Sequence, residues 1–362
     1  MKNPNKIFSS AFNSQIEGDH LKAENLYRKL LKSNPEWEAK KTITFNLGLV
    51  SMSLNKYNEA IKYFNISNSL ESTDENEWNK CLCYLNLKDW DNALKLFPSR
   101  YGNSRQPGTA VKFPKFPIHQ INNAKESKNK NLLVLNEQGL GDEILFSTQL
   151  LKLDKIVNKA LVQVSTDTID LLNKIYKFKN IELVCFDSIP IEDVEKYDMY
   201  IGLGDVFISL YEIGESLSID NGYIHPYTDK AGVCWSSNKK SPNASKRSIK
   251  SSVFKTIDLE LVSLQYGKNC GKELGLEDYI PKNCLESWER MDGLDVVVTV
   301  DTLMAHIAGL KGIPTILLHD KHLDWRWKYR DSEDDRYSMF YPLVEIVDIN
   351  DDINSIIKDI IG

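Results

Sequence analysis

Three alanines constrain this chain more than any other feature. Ala23, Ala60 and Ala93 are each followed four residues later by an aromatic, Tyr27, Phe64 and Phe97, and preceded three residues earlier by His20, Tyr57 or Trp90. An offset of four is one helical turn, so each alanine and its aromatic share a face. The methyl side chain lets a second helix approach closely, and the aromatic fills the space one turn on. The same triplet three times over predicts helical hairpins in series, rather than a generic bundle, across about residues 4 to 98.

The spacing is close to the roughly 34 residues of a tetratricopeptide repeat. Leu47-Gly48 falls where such repeats often carry Leu-Gly, and Pro35 closes the first unit. The repeat domain is read as residues 1–100. Pro98, Pro107, Pro114 and Pro117, then the polar run NNAKESKNKN, break regular structure and mark a linker over residues 101–130. Phe113 and Phe116 predict that this linker packs down on something.

Beyond it the pattern changes to short apolar runs alternating with helical segments. Leu132–Leu135, Leu161–Val164, Ile181–Cys185 and Met199–Leu203 read as strands, with a helix over Asp142–Leu153. A second series follows at Gly232–Trp235, Leu261–Leu264, Val296–Val300 and Thr315–Leu318. Fully apolar strands with intervening helices imply parallel sheets covered on both faces. Two Rossmann-like lobes are expected, residues 131–228 and 229–362, joined around His225–Lys230. Ile353, Ile356, Ile357 and Ile360 recur at helical spacing and predict a closing helix.

The formal net charge of -6 argues against a nucleic-acid binder. Six cysteines, with no zinc-ribbon spacing, read as reduced thiols, and Cys81, Cys83, Cys185 and Cys234 lie in apolar runs expected in the core. The opening MKNPNKIFSSAFNS has no apolar signal region, and no run of about 18 apolar residues occurs, so a cytoplasmic protein is expected.

The chemistry-bearing residues cluster where strands end. Asn136 to Glu143 follows a strand and opens a helix, with Gly139 and Gly141 free to bring backbone amides near a ligand. Asp142 and Glu143 lie in the first helical turn, where each can complement the helix dipole; Asp142 is alternatively a candidate general base, and Glu143 a candidate residue of an acceptor cleft. Thr299 to His306 repeats the arrangement: Asp301 or Thr302 caps a helix, and His306, one turn in, faces the same side as Thr302. Ser236, Asn238, Lys239, Lys240, Lys246 and Arg247 form a polar, basic loop suited either to solvent or to a diphosphate. Gln265 ends a strand and is a candidate contact to a base or ribose. Trp325, Arg326 and Trp327 either pack the lobe or line an acceptor cleft.

At these residues the chain resembles bacterial proteins in which tetratricopeptide repeats are fused to a heptosyltransferase-like glycosyltransferase domain. The matching stretches are KFPKFP, NEQGLGDEILF, GVCWSSN followed by KRSI, LVSLQYG, LDVVVTVDTLMAHIAGLKGIPTILL and DWRWKYRDSEDDRYSMFYP, in order from about residue 113 to 342. The resemblance implies a GT-B fold, with a nucleotide-diphosphate sugar bound by the C-terminal lobe and the acceptor across the cleft. It implies transfer without a metal or other cofactor. Asp142 matches the aspartate proposed as base in heptosyltransferases, Asp301, Thr302 and His306 match the donor-phosphate block, and Arg247 matches the basic phosphate contact. Glu286-Ser287 stands where members usually carry Asp-Thr. The repeats are expected to recruit a protein or glycan acceptor. Two alternatives stay open: a catalytically inactive scaffold, and a GT-B sugar-nucleotide epimerase or hydrolase.

Overall fold

The computed structural model describes residues 3–33, 38–101, 116–185, 191–219, 227–237, 244–320, 323–328 and 336–361. The chain divides into two compact units, Met1–Lys112 and Phe113–Gly362. Among the described residues, no helix is long and apolar enough to cross a membrane.

The first unit is a run of helical repeats: α1 (Pro4–Ile16), α2 (His20–Ser33), α3 (Lys40–Ser53), α4 (Tyr57–Leu70), α5 (Asp74–Asn86) and α6 (Trp90–Leu96). Each packs on the next. Ala23, Ala60 and Ala93 are fully buried, as are Tyr27 and Phe64, with Phe97 1% exposed. The close approach has a partner on the facing helix: a Cβ on Gly48 of α3 would lie 2.4 Å from the Phe64 ring of α4. The repeat extends into the turns. Gly18, Asn55 and Lys88, each five residues before its alanine, all have positive φ. Asp19 and Asp89 follow two of them, and each accepts the backbone N–H three residues on. Charge ties the first hairpin to the second. Glu24, 5% exposed, accepts from Arg28 at 2.8 Å and from Lys56 at 2.8 Å, and Arg28 also pairs with Glu59.

The second unit contains two five-stranded parallel sheets. In the first lobe, β1 (His119–Gln120), β2 (Asn131–Leu135), β3 (Lys159–Val164), β4 (Ile181–Cys185) and β5 (Met199–Gly202) lie in the order β1-β5-β2-β3-β4. In the second, β6 (Lys230–Cys234), β7 (Glu260–Ser263), β8 (Val296–Thr299), β9 (Thr315–His319) and β10 (Val344–Asp348) lie in the order β10-β9-β8-β6-β7. The two topologies share one reversal. From β2 the chain steps outward to β3 and β4, then returns to lay β5 on the other flank. From β6 it steps to β7, then returns to lay β8 on the other flank. Each sheet therefore has one switch point, between β2 and β5 and between β6 and β8. In open parallel sheets, ligands bind at the carboxyl ends of the strands beside such points.

Helices α7 (Leu140–Ser147) and α8 (Leu150–Asp154) follow β2, α9 (Ile169–Ile175) follows β3, and α10 (Leu203–Leu210) follows β5. Helices α11 (Cys284–Arg290) and α12 (Leu303–Lys311) flank β8. The C-terminal α13 (Ile353–Ile361) buries Ile353, Ile356 and Ile357 against Ala231, Val233 and Val347 of the second lobe.

Several sequence expectations shift. The single helix over 142–153 is two, broken at Thr148 and Gln149. Leu203 opens α10 rather than closing β5. β10 was not anticipated, and β1 lies in the stretch read as linker: Phe116 packs edge-on to Tyr200 at 5.3 Å, and Ala124 donates its N–H to Ser209. Cys185 is half-buried rather than in the core, whereas Cys284 is buried. Pro35, Phe113 and His225 lie outside the described residues.

Candidate functional site

The two switch points face each other. Helices α7 and α12, which leave β2 and β8, meet at their N-terminal ends. Gly141 makes the approach possible: a Cβ there would lie 2.9 Å from His306 Cδ2 and 3.9 Å from Leu303 Cα. Two first turns, each carrying the partial positive charge of a helix N-terminus, thus converge at the seam between the two lobes, the candidate cleft.

On the first-lobe side, Gln138 takes a left-handed conformation, φ 64°, to turn the chain from β2 into α7. Gly139 is the N-cap in extended conformation, and its N–H donates to Asp142 Oδ2 at 3.4 Å. Glu137 reaches across the switch point and accepts the N–H of Gly204 at 2.7 Å, in the first turn of α10.

Glu143 does not line the cleft, contrary to the sequence reading. It is 1% exposed and points into its own lobe. Its carboxylate accepts from Asn136 Nδ2 at 2.7 Å, from Ser165 N at 2.9 Å and from the Thr168 hydroxyl, welding the end of β2 to the end of β3. Burial pushes its pKa up against those three hydrogen bonds.

On the second-lobe side, Gln265 braces the backbone after β6. Its Oε1 accepts the N–H groups of Trp235 at 3.1 Å and Ser236 at 2.8 Å, and it is 6% exposed. It thereby fixes the backbone of Ser236 after β6. Asn238, with Lys239 and Lys240, lies outside the described residues.

Neither Asp301 nor Thr302 caps α12 through its side chain. Thr302 occupies the N-cap position in extended conformation without a side-chain cap bond, and its hydroxyl lies 3.2 Å from that of Thr299. Asp301 instead accepts from Trp327 Nε1 at 2.8 Å and from Arg247 Nη1 at 3.3 Å. Burial and the neighbouring Asp324 charge push Asp301 upward, against Arg247 and the Trp327 hydrogen bond.

His306 is 3% exposed, its Nδ1 is 3.2 Å from the Tyr341 hydroxyl, and its ring lies 4.5 Å from that of Trp327. Burial, reinforced by the Arg326 charge, lowers its pKa to about 3. The imidazole is therefore neutral at physiological pH, and its Cδ2 and Nε2 edge faces Gly141.

Arg326 joins the two sides. It lies on the short turn Trp325–Trp327. Its Nε donates to Asp142 Oδ1 at 2.6 Å, Nη2 to Gln138 Oε1 at 3.2 Å and Nη1 to Asp324 Oδ1 at 2.8 Å. Burial opposes its charge, but Asp142 and Asp324 hold the guanidinium firmly protonated. Trp325 is buried rather than cleft-lining: it is 3% exposed, packs against Phe340 and supports the guanidinium 4.6 Å from its ring centroid. The site thus brings together Gly139, Gly141, Asp142, Arg247, Asp301, Thr302, His306 and Arg326. It also uses Trp327, read from the sequence as packing the lobe or lining the cleft, and Gln138, Asp324 and Tyr341, which the sequence does not single out as site residues.

No protein-family model matches the chain, and no curated protein matches it. Three of the similar solved structures each cover less than a third of it. PcrH from Pseudomonas aeruginosa is 20% identical over 29% of this chain and 80% of that one, with a TM-score of 0.26. The Sgt2 TPR domain from Aspergillus fumigatus is 14% identical over 27% and 64%, with a TM-score of 0.25. A chain of the CopN–Scc3 complex is 17% identical over 29% and 61%, with a TM-score of 0.26, so this chain spans less than two thirds of its length. Likeness at this level says nothing of function.

Proposed function

We propose that the second unit is a GT-B glycosyltransferase, and that the first is a tetratricopeptide array presenting its protein or glycan acceptor. The observation that carries this is the convergence of two switch points, with the first turns of α7 and α12 in contact, Asp142 of α7 paired to Arg326, and Asp301 before α12 paired to Arg247. Each half supplies what transfer from a nucleotide-diphosphate sugar requires. Asp142 takes the proton of an acceptor hydroxyl, whose oxygen attacks the anomeric carbon as the bond from that carbon to the diphosphate breaks. The leaving diphosphate is neutralised by Arg247 and by the amides of the α12 first turn, with neutral His306 one turn in. The scheme draws on these groups alone and calls on no metal.

One observation favours a second reading, a binding module without turnover. Both carboxylate oxygens of Asp142 already accept a hydrogen bond, from Arg326 and from Gly139.

A thermal-shift screen against ADP-, GDP-, UDP-, CMP- and dTDP-sugars, with and without magnesium, tests the proposal. A ligand at a hundred times its Kd adds about 2.7 kcal/mol to the state it binds. One nucleotide class is expected to raise the melting temperature, with or without EDTA, and Arg247→Ala to abolish the shift. Product analysis with that donor then separates transfer from hydrolysis or epimerisation. Binding without turnover over a range of acceptors would favour the binding module, and no shift with any donor would overturn the proposal.

A further inference from the structure

The geometry points to a donor-operated latch: Arg326 holds Asp142, and a diphosphate that draws Arg326 onto itself releases Asp142 to meet the acceptor. This rests on the glycosyl-transfer reading and adds to it the order in which the substrates act.

The latch is built from one side chain of the second lobe and two of the first. Arg326 presents Nε and Nη2 to Asp142 Oδ1, at 2.6 and 2.5 Å, and Nη2 also to Gln138 Oε1. The other oxygen of Asp142 faces the Gly139 N–H. With the arginine in place, 18% of the Asp142 side chain is exposed, so an acceptor hydroxyl has little access to it. On its own lobe Arg326 is held differently. Asp324 takes Nη1 at 2.8 Å, and the Trp325 ring lies along the guanidinium. These contacts do not depend on the first lobe, so they keep the charge beside the cleft once Asp142 is given up.

The same turn reaches the donor end of the site. Trp327, one residue on, donates to Asp301, which also pairs with Arg247 at 3.3 Å. Residues 325–327 therefore link the candidate base to the anion-binding end of α12. An arriving diphosphate offers the guanidinium several charged oxygens where Asp142 offers one, and the planar fork of arginine suits such bidentate contacts. The donor and Asp142 thus compete for one cation, and the donor must win before the base is exposed.

A double-mutant cycle on the full chain tests this, with inorganic pyrophosphate, UDP, GDP and ADP as probes in titration calorimetry. Asp142→Asn keeps the shape of the side chain and weakens its hold on Arg326. It is expected to tighten binding of the preferred diphosphate about tenfold, the scale of one charge-assisted hydrogen bond, while abolishing transfer. Arg326→Gln is expected to weaken the same binding about tenfold, and Arg326→Lys, which keeps the charge without the fork, to weaken it less. In the Arg326→Gln background Asp142→Asn should no longer tighten binding. Equal tightening in both backgrounds would mean simple removal of a negative charge and would overturn the latch. So would no tightening in a wild-type background that binds the probes. If neither wild type nor Asp142→Asn binds any probe, the glycosyl-transfer reading falls and the latch with it.

Discussion

A neutral, buried His306 makes the cleft sensitive to acid, and the size of the effect follows from its surroundings. An imidazole has a pKa near 6.5 in an unfolded chain, whereas burial and the Arg326 charge lower it to about 3 here. Between those values the open state binds a proton that the closed state refuses, so stability falls as pH falls. The loss begins near the unfolded value, approaches about 1.4 kcal/mol per pH unit and levels off near the folded one. From neutral pH to about pH 4.5 it amounts to about 2.7 kcal/mol, roughly a hundredfold in the opening equilibrium. Glu143, Asp301 and Glu345, whose pKa values burial raises, act with the opposite sign in the range above their unfolded values. The informative quantity is therefore the difference between wild type and His306→Gln, which keeps a polar partner for Tyr341 and does not titrate. Hydrogen exchange of peptides from α12, corrected for intrinsic rates, reads that opening even when it is local. Wild type should lose protection on acidification relative to His306→Gln. Parallel pH profiles for the two proteins would refute the reasoning, because His306 would then be solvated or protonated within the closed cleft.

Two further substitutions test the packing that carries the site and the repeats. Glu143→Ala strips the acceptor from Ser165 N–H and Asn136 Nδ2, while the Thr168 hydroxyl keeps the Ser165 carbonyl as partner. Two orphaned donors should lower stability by about 3 kcal/mol in urea unfolding; unchanged stability with a raised acceptor KM would return Glu143 to the cleft. Gly48→Ala should gain about 1 kcal/mol of helix propensity at an open site. Here the new methyl meets a buried Phe64 ring that is itself packed on Phe45, and a net loss of about 1–3 kcal/mol is expected in thermal melts, partly recovered by adding Phe64→Leu.

Elements that repeat or run continuously apolar were legible in the sequence. The triplet places its alanine at the fourth residue of α2, α4 and α6, with the third aromatic, Phe97, just past the end of α6, because close helix packing leaves few residue choices at those positions. The central strands β2, β6, β8 and β9 are buried along nearly their whole length; β2, β8 and β9 read as runs of Val, Ile and Leu, and β6 as the small apolar run Ala-Gly-Val-Cys. What escaped lies at sheet edges. β1 is the two polar residues His119 and Gln120, which join the sheet by backbone pairing to Met199 and Tyr200 and carry no apolar signal. β10 contains Glu345, 9% exposed, which interrupts the apolar pattern although the backbone pairs in register with β9.

The site shows a different limit, one of direction rather than of composition. Asp142 and Glu143 are neighbours in the first turn of α7, and a dipole argument treats them alike. Consecutive helical residues point about 100° apart, since 3.6 residues complete a turn. That rotation sends Glu143 inward to Ser165 and Thr168 of its own lobe, and Asp142 outward to Arg326, 184 residues away in the other lobe. Which carboxylate faces outward depends on how β2 enters the turn, and the left-handed Gln138 sets that entry. Asp142 is therefore an ionic partner across the cleft before it is anything else. Under the glycosyl-transfer proposal, any proton transfer assigned to it begins with the departure of Arg326, and the anion expected to draw the arginine away is the first substrate.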